Sequence, residues 1–73
     1  MRFEPASLTV KPGDVVVWVN KDPFPHTATA PGGAFDSREI AADGRWSWTA
    51  EKTGSHDYVC SLHPTMKGVV TVR

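Results

Sequence analysis

The stretch Lys11-Pro12-Gly13-Asp14-Val15-Val16-Val17-Trp18-Val19 decides the fold. Four turn-forming residues precede five β-branched or aromatic ones, and the apolar run is too short for a helix. Working outward, Leu8 to Val10 supplies the strand before the turn. Asn20 to Phe24 is a polar, Pro-containing loop, after which Pro25-His26-Thr27-Ala28-Thr29-Ala30 begins another extended stretch closed by Pro31-Gly32-Gly33. Arg45 to Thr49 alternates, with Trp46 and Trp48 on one face and Ser47 on the other. Thr53-Gly54 breaks the chain before His56 to Cys60, a strand that places 56, 58 and 60 on one face. Gly68 then precedes a last strand, Val69 to Val72. A period of two, with Gly or Pro between short strands, predicts an all-β sandwich or barrel. Ser37 to Ala42 is the one segment whose pattern admits a helix, and it is short.

The chain has 73 residues, which predicts one small domain over 1–73. Cys60 is the only cysteine, so no disulfide can form within the monomer. Eight Lys plus Arg balance eight Asp plus Glu, scattered without a run of like sign. That pattern gives no support for nucleic-acid or membrane-surface binding. No apolar stretch approaches the length of a membrane span, and no charged-then-apolar signal segment opens the chain.

The chemistry gathers in Cys60-Ser61-Leu62-His63-Pro64-Thr65-Met66, where thiolate, imidazole and thioether recur every three residues. Taken singly, a Cys is usually a small buried hydrophobe, a Met core filler and a His a hydrogen-bonded side chain. The conjunction points elsewhere. With His26, set off by Pro25, it supplies one Cys, two His and one Met, the donor set of a blue copper site. Thiolate and thioether favour Cu(I) while imidazole also accepts Cu(II), so one site can hold either state. A structural zinc site would prefer a further Cys or His in place of Met66. His56 shares a strand face with Cys60 but lies roughly 13 Å along the chain, too far to share an ion. No nucleophile–base pair, phosphate-binding Gly loop or paired catalytic carboxylates stand out, so the sequence supports no enzymatic activity.

On these residues the chain resembles the cupredoxins, and within them the plastocyanin- and amicyanin-like proteins. Phe3-Glu4-Pro5, Leu8 to Asp14 and Val17-Trp18-Val19-Asn20 look like the family's early strands. Pro25-His26-Thr27 looks like the first ligand segment, Phe35-Asp36-Ser37 a mid-chain element, and Thr53-Gly54 through Tyr58-Val59-Cys60 the run into the ligand loop. The resemblance implies a Greek-key β-sandwich or barrel holding one type 1 copper ion. It implies His26, Cys60 and His63 as strong ligands and Met66 as the weak axial one. The function implied is single-electron transport in an extracytoplasmic or periplasmic setting. A copper carrier that delivers the ion itself is the alternative.

His63 would be the edge through which electrons leave, and Phe24, Pro25, Pro64 and Thr65 an apolar patch for redox partners. Thr27 stands where the family often has Asn bracing the ligand loop. Leu62 stands where amicyanin-like chains carry Pro, leaving a backbone N–H that can reach the Cys60 sulfur. The usual first strand is lacking before Met1-Arg2-Phe3. An uncovered sheet edge invites pairing with another chain, so a fragment or trimmed variant, or a homodimer, is expected.

Overall fold

The computed structural model describes residues 2–73; Met1, to which the sequence assigns no role, lies outside the described residues. Five strands follow in chain order: β1 (Ser7–Val10), β2 (Val15–Val19), β3 (Arg45–Thr49), β4 (Gly54–Cys60) and β5 (His63–Val72). Pro12 and Gly13 make the turn between β1 and β2. Gly13 sits at φ +94°, and Asp14 N–H donates to Lys11 C=O at 3.0 Å. That is a type II turn, whose third position needs a positive φ and therefore glycine. Asp14 Oδ2 also accepts the Lys11 N–H at 2.9 Å.

One sheet has the order β1-β5-β4, with β1 parallel and β4 antiparallel to β5; the other pairs β2 with β3. Alternation along β2 sends Val16 and Trp18 inward and leaves Val15, Val17 and Val19 facing out. Val70 and Val72 of β5, Tyr58 of β4 and Phe35 complete the core with them. The aromatic rings interlock, with Phe35 and Trp48 centroids 4.7 Å apart and Trp18 meeting Tyr58 edge-on at 5.4 Å. Gly68 lies opposite Tyr58 in the β4–β5 register. A Cβ there would overlap the Tyr58 ring, so glycine is what lets the ring lie across the strand.

Residues 20–44 carry no named strand but are pinned by single bridges: His26 to Ile40, and Thr29 to both Asp36 and Val59. The bridge to Val59 lays this segment along β4 and brings His26 beside Cys60. Two expectations are corrected here. Ser37 to Ala42 is not helical: Ile40 exchanges both backbone bonds with His26, at 3.1 and 2.7 Å, and Ser37 N–H donates to Ala28 C=O. Arg38 at φ +58° is left-handed and would interrupt a helix in any case. The last strand begins at His63 rather than after Gly68, so the turn before it is only Ser61-Leu62.

Among the described residues, β1 and β2 each have one edge without a partner strand. A groove of 570 Å³ runs there, lined by Phe3, Leu8, Trp18, Tyr58, Met66 and Val70 among others.

Candidate metal centre

Three arrangements place the candidate donors. Asn20 is buried, and its Nδ2 donates to Phe24 C=O at 2.8 Å and Ile40 C=O at 2.9 Å. Its Oδ1 accepts the Asp22 N–H at 2.9 Å. One amide thus folds the loop that delivers His26. The β4–β5 pairing shifts register between Val59 and Cys60 and sets His63 opposite Cys60. Met66 follows on β5, 5% exposed, and lines the same groove as His26.

Cys60 Sγ lies 3.6 Å from His26 Nδ1 and 3.8 Å from His63 Nδ1. All three donor atoms fall within 4.8 Å of one another. Cys60 is wholly buried and His26 nearly so, whereas His63 is half-buried. A divalent first-row ion sits about 2.0–2.1 Å from nitrogen and about 2.3 Å from sulfur. At the centre of a trigonal plane it spaces nitrogen and sulfur by roughly 3.8 Å, which matches both separations. The donor set therefore fits a single ion.

The sulfur is also prepared electrostatically. Thr27 N–H donates to it at 3.3 Å. Burial pushes the Cys60 thiol up, but the Thr27 N–H, the two imidazoles and the Leu62 N–H outweigh it and bring its pKa down to about 6. Burial pushes His26 down, yet hydrogen bonds and charge from Cys60 and Asp22 more than offset it and leave its pKa raised. The Leu62 N–H left free by the absence of Pro thus adds to the lowering of the thiol pKa.

Thr27, standing where the family often has Asn, braces the ligand loop through its hydroxyl. Its Oγ1 accepts the Ser61 N–H at 2.8 Å and lies 3.1 Å from Ser61 Oγ and 3.0 Å from Thr29 Oγ1. His56 stays away from the site, its Nε2 3.1 Å from Lys52 C=O and its ring edge-on to Trp48. Asp22 was not singled out by sequence, yet its Oδ2 accepts from His26 Nε2 at 2.8 Å. The one available signal was an acidic residue four positions before a candidate ligand, in a loop held by Asn20.

A buried cysteine flanked by two imidazoles, with a buried methionine three residues beyond His63 on β5, on an all-β sandwich, defines a small blue copper protein with one type 1 ion. The chain belongs to the copper-binding plastocyanin/azurin family, whose pattern it matches over residues 1–73. It is similar to amicyanin of Paracoccus versutus, 34% identical over 77 residues that cover 99% of this chain and 58% of that protein. It is also similar to plastocyanin of Scenedesmus fuscus, 33% identical over 84 residues that cover 97% of this chain and 86% of that one. The solved structure of an oxidised amicyanin variant superposes with a TM-score of 0.94 at 32% identity, covering 100% of this chain and 74% of that one. A Cu(I) amicyanin variant does so equally, at 31% identity and the same coverage. The all-β cupredoxin fold is thereby established. The chain spans well under two thirds of the amicyanin of Paracoccus versutus.

Proposed function

We propose that residues 1–73 form a single cupredoxin domain that carries single electrons between redox partners. His26, Cys60 and His63 would hold the copper ion strongly and Met66 weakly. The observation that supports this most is the Nδ1–Sγ–Nδ1 spacing of 3.6 and 3.8 Å around a buried sulfur. Copper held there supplies one-electron Cu(I)/Cu(II) exchange. Cys60 gives the anionic soft donor, and the hydrogen bond from Thr27 and the Thr27–Ser61 clamp hold it still. A frame that does not rearrange between oxidation states keeps transfer fast. The reading is of an electron carrier rather than an enzyme.

His63 is the least buried of the three close donors and serves as the exit for electrons. Around it Pro25, Pro64 and Thr65 are exposed, and Phe24 is 58% exposed. Leu62, at 47% exposure, belongs to the patch as well. An apolar surface of this size suits brief redox encounters, which sit at the low end of interface areas. Pairing of two copies through the free edge of β1 or β2 is the homodimer we favour, with Val15, Val17 and Val19 as its exposed neighbours. No helix among the described residues is long and apolar enough to cross a membrane. An extracytoplasmic, periplasmic setting suits copper chemistry of this kind.

Voltammetry on the copper-loaded protein, followed by challenge with a copper chelator, tests the function. The expected result is a reversible one-electron wave with copper retained through many cycles. Ready copper loss with no reversible wave would favour the carrier that delivers the ion.

A further inference from the structure

His26 and His63 are treated unequally by the fold. His63 has no carboxylate partner among the described residues, while His26 has Asp22. Asp22 Oδ2 lies 2.8 Å from His26 Nε2, and the His26 side chain is 7% exposed against 42% for Asp22. A carboxylate can only accept here, so Nε2 must carry the hydrogen. That leaves the lone pair on Nδ1, the atom 3.6 Å from Cys60 Sγ. The wrong tautomer would present an N–H to the metal and no donor.

Asp22 is itself held. Its backbone N–H donates to Asn20 Oδ1, and Asn20 is fixed in turn by bonds to the carbonyls of Phe24 and Ile40. The carboxylate is therefore placed by the loop that delivers the ligand, not by a free side chain.

We infer that Asp22 is a positioning residue of the copper centre, which fixes the tautomer and ring orientation of His26 and biases the site towards the cupric state. The inference rests on the proposed copper ligation. Two effects follow from one bond. The hydrogen bond from Nε2–H makes the imidazole a more basic donor and holds its plane. The negative charge, one ring away from the ion, favours the doubly charged metal over the singly charged one. Both stabilise Cu(II) relative to Cu(I), so Asp22 lowers the reduction potential.

Two variants separate charge from geometry. Asp22→Asn keeps an acceptor oxygen in place and removes the charge; Asp22→Ala removes both. Loss of such an outer partner weakens metal binding by roughly 10- to 100-fold. A tenfold loss falling on Cu(II) alone raises the one-electron potential by about 59 mV. Voltammetry should show a rise in Asp22→Asn and a larger one in Asp22→Ala. Competition with a Cu(II) chelator should show weaker Cu(II) binding in the same order.

Melting of the copper-free variants supplies the control, since a purely structural role would lower Tm and leave the potential alone. That result, or potentials equal to or below wild type in both variants, overturns the inference while leaving the electron-carrier reading standing. A wild-type protein that forms no blue centre overturns both.

Discussion

At the metal pole, Thr27 alone ties two parts of the chain together: its N–H donates to Cys60 Sγ, and its hydroxyl accepts from Ser61 N–H and, within its own segment, from Thr29. On the flank between β1 and β2 the construction is different. Val15, Val17 and Val19 stand 59, 48 and 46% exposed, and both outer strand edges lack partners among the described residues. The pole is closed by directional polar bonds, and no buried side-chain polar atom among the described residues lacks a partner. The flank offers apolar side chains and free backbone groups instead. The comparison teaches that the protein's own polar bonds hold the ligand-bearing segments together, while the flank is where another chain can add stability.

Removing the clamp is the strongest way to break this contrast. In Thr27→Val the shape is kept, but Ser61 N–H loses its acceptor and the Thr29 hydroxyl a partner. A buried or half-buried polar group left unpaired costs about 1–3 kcal/mol. Melting of the copper-free variant should show a stability loss of that order. An unchanged Tm would mean that the pole is not held as described.

The pH dependence of the copper-free protein sharpens the same point. The Cys60 pKa is lowered in the fold to about 6. Its contribution is therefore complete above the ordinary thiol value of about 8.5 and is lost as pH falls through about 6. His26, with its pKa raised, works oppositely: its contribution is complete below the ordinary value of about 6.5 and fades as pH rises through the raised value. The Tm of copper-free wild type relative to Cys60→Ala should rise as pH is taken from 6 towards 8.5. A flat difference would contradict a stabilised thiolate.

A smaller effect is expected from Leu62→Pro, which deletes the N–H that supports the Cys60 thiolate. Hydrogen bonds to the sulfur withdraw charge and tune the potential. Removing one strengthens the thiolate's hold on Cu(II), so the potential should fall. No change or a rise in voltammetry would contradict this. The least effect on folding is expected at the flank. Val17→Lys on the exposed face of β2 should change stability by no more than about 0.5 kcal/mol. It should abolish concentration-dependent dimerisation in sedimentation experiments. A dimer that survives the change would place the contact elsewhere.

Much of this was legible in the sequence, for physical reasons. Strands with one buried face alternate, so β2 and β3 were readable from Val16 and Trp18 and from Trp46 and Trp48. The donors were readable because metal chemistry restricts residue type, and the three-residue spacing brings Cys60 and His63 together. The start of β5 was hidden by Pro64, which cannot donate to a ladder and argues against a strand. It is tolerated because it falls between the Cys60–His63 and Val59–Lys67 pairs and before β1 joins at Val69. Ser37 to Ala42 was hidden because its partners, His26 and Ala28, lie far back in the chain and no local pattern announces them. Asp22 was hidden for the same reason in reverse: a loop acid is ordinarily solvated, and only the fold of Asn20 turns it onto a ligand.

The central claim is that His26, Cys60 and His63 assemble around one redox-active copper ion. The most direct test is the visible spectrum of the purified protein after one equivalent of Cu(II), beside Cys60→Ala. An intense blue band in wild type, bleached by ascorbate and absent from the variant, is the predicted result. A faint cupric spectrum, the same in both proteins, would contradict it.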